Sequence, residues 1–162
     1  MCIFYLSKRL YYYLCVNTNM LNFIHEENLY SLQKEQLVTS IYQRLQNIIS
    51  LPEHMEVEFR CMGLSSYGET ILDPRRLHKR IILNADLDVK ALFYPTIHEL
   101  VHVSQMHTGK LAISRTGVFV WEKKTYPVDP LKMSYKDYKQ LPWEQDAHEQ
   151  QQILGKKLLE NQ

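Results

Sequence analysis

Residues 98–102 read His98-Glu99-Leu100-Val101-His102, and their spacing decides both the chemistry and the architecture around them. Four residues make slightly more than one helical turn, so on a helix both imidazoles project from one face and can share one Zn²⁺. Glu99, one position on, stands beside such a metal, where it can take a proton from water and pass it to a departing amine. The flanking Ile97, Leu100, Val101 and Val103 are apolar, so this is a buried helix. Two histidines and a glutamate there need partners, because an unpaired buried charge is costly, and a zinc ion with its water supplies them. The helix is expected over 89–106, after the cap candidates Asp86 and Asp88 and before the C-cap candidate Gly109. Pro95 either kinks it or sits in the first turn of a new helix.

A catalytic zinc usually has three protein ligands and one open position. The extended metzincin pattern would need Gly at 105 and His at 108; the residues are Gln105 and Thr108, with His107 one place off, which excludes it. The better third ligand is Glu144, within Leu141-Pro142-Trp143-Glu144-Gln145-Asp146-Ala147-His148. A second long helix should open here and run to the C-terminal end, with Trp143, Ala147, Leu154 and Leu158 as its apolar stripe. Pro142 suits a first turn, Trp143 is an anchor, and Ala147 is small enough for close helix approach. Glu144 and Ala147 share a face at i, i+3, which aims the carboxylate where the helices touch. Asp146, His148 and Glu149 are the alternatives.

Outward from these two helices the chain reads as an α+β protein. Leu29, Leu32, Leu37, Ile41, Leu45 and Ile48 mark an amphipathic helix over 26–49, ended by Pro52. Residues 55–61 alternate strictly, as a strand with one buried face does. Turn residues follow from Gly63 to Gly68, then a short strand over 69–72 before Asp73-Pro74, and a strand over 78–84 closing at Asn84. Residues 110–132 form a loop or hairpin. The expected architecture is a small twisted, mostly antiparallel sheet packed against the helix with the HExxH motif, backed by the N-terminal helix. The C-terminal helix supplies the third zinc ligand. Residues 20–162 make one domain; 1–19 are expected to be an unstructured extension preceding a true start at Met20, with an amphipathic membrane-touching arm as the other reading.

Bulk composition narrows the partners. A formal net charge of +1 without a long basic run gives no footprint for nucleic acid. Leu10–Val16 is too short to span a bilayer, for which about 20 apolar residues are needed. Cys2, Cys15 and Cys61 are odd in number and scattered, which argues against a disulfide framework and for a reducing, cytoplasmic setting. A monomer acting on a peptide or protein substrate is expected.

The strand Arg80-Ile81-Ile82-Leu83-Asn84, the helix with HELVHVSQ and the downstream PWEQDA together resemble the zincins, specifically the gluzincin branch. They are also similar to compact zincin-like proteins of bacteria and phages. The resemblance covers roughly residues 55–155. It implies zinc ligands His98, His102 and Glu144, Glu99 as general base, and main-chain pairing of extended substrate along 80–84, which marks Arg80, Ile82 and Asn84 as substrate-binding. Thermolysin-like members carry Asp four residues after the glutamate ligand, hydrogen-bonded to a zinc histidine; here that position is His148, so the support of the ligand differs. His148 becomes a catalytic candidate, orienting a ligand or donating to substrate. His107, Arg115, Tyr126, Tyr135 and Tyr138 are further candidates for stabilising the oxyanion. Asn84 either caps its strand or touches substrate. The expected function is a zinc-dependent metallopeptidase; the alternative is a catalytically inactive, zinc-stabilised binding or assembly protein derived from one.

Overall fold

The computed structural model describes residues 21–25, 31–63, 66–71, 79–114 and 116–160, without the side chain of Leu131. The expected extension 1–19, the start at Met20, the helix positions 26–30, the strand positions 72 and 78, and Arg115 lie outside these residues.

The first described element is a strand, β1 (Leu21–His25), that no clear alternation announces. It is followed by α1 (Leu32–Leu45) and β2 (Met55–Arg60). Ser31 caps α1, its hydroxyl accepting from the Lys34 amide. A helical crossover brings the chain back to the same end of the sheet, so β1 and β2 are parallel. The chain then forms β3 (Gly68–Ile71) and turns back into β4 (Lys79–Asn84). β4 lies parallel to β2 and antiparallel to β3, giving the order β1-β2-β4-β3.

The fold is α+β, and among the described residues three of five strand pairings are antiparallel. The four-stranded sheet itself differs from the expectation: two of its three pairings are parallel. A helix joins β1 to β2, and β3 has taken the outside of β4. The same topology corrects the role given to residues 80–84. β4 is bonded on one side to β2 and on the other to β3, so it has no open edge for a substrate strand. The edge strand on that side is β3, and β1 is the other edge.

Met55, Val57, Phe59, Ile81 and Leu83 point to one face, where they join Val38, Ile41, Tyr42 and Leu45 of α1 in the main core. On α1 the buried set is thus spaced 3-1-3, while Leu32 and Ile48 of the expected stripe are exposed. The same core takes Ile97, Leu100, Val101 and Val103 from α2 (Phe93–His107). Pro95 falls in the first turn of α2, where its missing N–H costs nothing. A preceding turn is held by Asp88, whose Oδ1 accepts from Ala91 N at 2.8 Å. Gly109 takes a φ of +75° just past the helix end, and its N–H donates to Met106 O.

A second, antiparallel sheet follows: β5 (Leu111–Ile113), β6 (Phe119–Trp121) and β7 (Lys124–Tyr126). A 3₁₀ turn (Pro130–Lys132) and the short α3 (Tyr135–Tyr138) lead to α4 (Pro142–Glu160). The predicted stripe of α4 is buried as expected: Trp143, Ala147, Leu154 and Leu158, with Glu144 among them. Trp143 belongs to a separate cluster with Leu111, Trp121 and Leu141. Its ring stacks on Phe119 at 5.1 Å and meets Tyr126 edge-on at 5.5 Å. The small sheet thus clamps the first turn of α4, which carries Glu144. No described helix is long and apolar enough to cross a membrane.

Candidate metal centre

His98 and His102 stand one turn apart on α2, their rings edge-to-face with centroids 4.7 Å apart and their Nε2 atoms 3.1 Å apart. Packing of α4 against α2 brings Glu144 to the same point. Its Oε1 lies 3.2 Å from His102 Nε2 and its Oε2 3.5 Å from His98 Nε2. The side chains of His98, His102 and Glu144, from two helices, therefore converge. His98, Glu144 and His148 also form a group able to hold a metal ion, their ligand atoms all within 4.8 Å. His148 sits one turn beyond Glu144, exposed, with its ring 4.7 Å from that of His98.

The electrostatics follow from crowding anionic and basic groups in a dry corner. Burial alone would raise Glu144, but hydrogen bonds from His102 and His98 hold it well below the usual carboxylate range. Burial works against the charged form of His102, yet the hydrogen bond and charge of Glu144 lift it to about 9. Burial, then the positive charge of His98, push His148 down. The Tyr138 hydroxyl donates to Glu144 Oε1 at 2.7 Å, and burial followed by the charge of Glu144 pushes this phenol up, so it remains a donor.

Glu99 lies on the sheet side of α2, 5% exposed. Thr70 of β3 donates to its Oε2 at 2.6 Å. Burial pushes the Glu99 carboxyl up from its ordinary range, against the opposing charges of His102 and His98. The carboxyl fits against β3 because residue 68 is glycine: a Cβ there would come within 2.9 Å of Glu99 Cγ.

Both imidazoles are held from behind by glutamines. Gln105 Oε1 lies 2.9 Å from His102 Nδ1, and Gln151 Oε1 lies 3.2 Å from His98 Nδ1. Sequence reasoning passed over Thr70, Gly68, Gln105 and Gln151. Gln105 had a legible signal, since it lies one turn past His102 on a helix otherwise apolar at that face.

The remaining candidates separate clearly. Asp146 turns away from the donors, to Gln105 at 2.7 Å and Lys110 at 2.9 Å, and Glu149 is exposed. Tyr135 and His107 are exposed, and Tyr126 packs on Trp143; of the described oxyanion candidates, Tyr138 and His148 are the ones shown at the cluster. Arg80, Ile82 and Asn84 do not line it. Arg80 is engaged by Glu56 and Glu58, and Ile82 is buried. Asn84 ties the segment after β2 to the turn that follows β4, donating to Gly63 O and Ser66 O and accepting from Met62 N and Asp86 N. No family model matches the chain, and comparisons with curated proteins and with solved structures find no significant match.

Proposed function

We propose that the protein is a zinc-dependent hydrolase of peptide bonds, with zinc held by His98, His102 and Glu144 and with Glu99 as general base. One observation carries the reading: the two imidazole Nε2 atoms are 3.1 Å apart, and the Glu144 carboxylate meets both, Oε1 at 3.2 Å from His102 and Oε2 at 3.5 Å from His98. Ligands at about 2.0–2.2 Å on a tetrahedral zinc are separated by about 3.3 Å, so this donor set fits the ion. Two neutral imidazoles and a carboxylate are also the donors of an open, catalytic site. When bound, zinc lowers the pKa of its water toward neutrality and polarises a carbonyl oxygen.

The chain's own residues would do the rest. Glu99 takes the proton of the attacking water and returns it to the leaving amine, and a carboxyl raised by burial suits both halves of that task. Thr70 and Gly68 fix where the carboxyl points. An extended peptide would pair along the edge strand β3, beside Glu99, and not along β4. Tyr138 and His148 stand at the cluster as donors for the developing oxyanion. Replacing Glu99 with Gln should leave one zinc per chain and lower hydrolysis of a fluorogenic peptide library by about 10²–10⁴-fold. Undiminished hydrolysis with zinc bound would overturn the mechanism.

A second reading has its own observation. His148 lies near enough to Glu144 and His98 to complete a four-ligand site, and closed sites are structural. The protein would then be a zinc-stabilised binding or assembly protein. The visible spectrum of cobalt-substituted protein separates the two: it should be unchanged by His148→Ala in the hydrolase and altered in the structural protein.

A further inference from the structure

We propose that Gln105 is a positioning residue that fixes His102 as the Nδ1–H tautomer, and that it does so because Asp146 and the Trp143 carbonyl fix Gln105. The inference rests on the zinc reading above and adds to it which residue makes His102 a ligand.

A glutamine amide can be turned end for end, and only its neighbours decide which end is oxygen. Gln105 Nε2 meets two atoms, Trp143 O at 3.0 Å and Asp146 Oδ2 at 2.7 Å. A carbonyl and an ionised carboxylate can only accept, so the NH₂ must face them. The oxygen must then face His102 Nδ1, 2.9 Å away. Oxygen also only accepts, so Nδ1 carries the proton. In the neutral ring this leaves Nε2 unprotonated, and Nε2 is the atom directed at His98 and Glu144. With the opposite tautomer the ring would present N–H to the metal position and could not bind there.

The chain of contacts continues outward. Asp146 Oδ1 accepts from Lys110 Nζ at 2.9 Å, and Lys110 lies 4.6 Å from the centre of the Trp121 ring. Gln105 belongs to α2, whereas Trp143 and Asp146 belong to the first turns of α4, on either side of Glu144. The same hydrogen bonds that set one ligand's tautomer therefore hold a second ligand's helix in place. His98 is held differently. Among the described residues the Gln151 side chain makes no other hydrogen bond, so no second partner determines which way its amide turns.

Two measurements test this. Long-range ¹H–¹⁵N spectra should show His102 protonated at Nδ1 in the zinc-loaded protein, and also in metal-free protein held at a pH where the ring is neutral. Zinc affinity, read by competition with a chromophoric chelator, should fall about 10–100-fold in Gln105→Met and less than threefold in Gln151→Met. A His102 ring protonated at Nε2, or a folded Gln105→Met that binds zinc as tightly as the parent, would overturn the proposal. If Gln105→Met does not fold, the spectra of the parent protein decide alone. Failure of the parent to bind zinc would instead remove the metal reading, while the metal-free spectrum still judges the tautomer.

Discussion

Among the described residues, two clusters of buried charged groups are built on opposite principles. On the sheet face turned away from the helices, Glu58 is fully buried between Arg60 and Arg80, and Arg80 also holds Glu56. Among the described residues, two carboxylates there meet two guanidiniums, so their charges balance. At the α2–α4 contact, two imidazoles and the carboxylates of Glu99 and Glu144 crowd together with no arginine or lysine bonded to either carboxylate among the described residues. Without a metal, a protonated His102 offsets the Glu144 charge; once both imidazoles are neutral, as metal ligands must be, two ionised carboxylates leave two negative charges that a divalent cation would cancel. A buried cluster that satisfies itself holds a fold together; one that is short of a cation asks for a ligand.

The sharpest way to break this contrast is to remove one member of the self-satisfied cluster. Arg80→Met takes one guanidinium away from the buried Glu58, and should cost about 3–5 kcal/mol in urea unfolding. Zinc stoichiometry should stay at one per chain. Loss of zinc in this variant would show that the two clusters are not separate.

Next in size is the metal itself. Zinc at a thousandfold excess over its dissociation constant should stabilise the protein by about 4 kcal/mol, seen as a rise in melting temperature that a chelator reverses. Glu144→Gln should abolish that rise. The same cluster also gives a pH signature in chelated protein. His102 is raised from 6.5 to about 9, so its stabilisation is complete below pH 6.5 and is lost as pH climbs through 9. Melting temperature should fall across that interval in the parent and in Arg80→Met. It should be nearly flat there in Glu144→Gln, which lacks the carboxylate that lifts the imidazole. A slope surviving Glu144→Gln would assign it to another group.

The contrast also explains what could be read from sequence. His98, Glu99 and His102 are legible because one helical turn sets their geometry locally. Glu144 is legible because Pro142, Trp143 and Ala147 announce a helix start with a packed face. The position of Arg80-Ile81-Ile82-Leu83-Asn84 is not a local property: the same residues serve an edge strand or a central one, and the decision falls to the pairing of Gly68–Ile71 with it. β1 escaped notice for a like reason, since Leu21–His25 has too few residues to display a period and gains its place by pairing with β2. Thr70 reaches Glu99 only because β3 is at the edge beside α2, so no spacing along the chain could have named it.

The smallest predicted effect uses a third region as a control on the other two. The β6–β7 turn places Glu122 and Lys123 at φ of +47° and +69°, between the paired Trp121 and Lys124. A two-residue hairpin turn with both central φ values positive favours Asn-Gly, and a side chain held there is strained. Lys123→Gly should therefore stabilise the protein by about 1 kcal/mol, the left-handed penalty outweighing the extra chain entropy of glycine. The urea midpoint measures this. Zinc affinity should not move, because neither Glu122 nor Lys123 touches the donors. If affinity does rise, the strain of the turn is reaching Glu144 through Trp121 and Trp143, whose rings lie 6.5 Å apart. The small sheet would then be part of what sets the metal centre, and not only its prop.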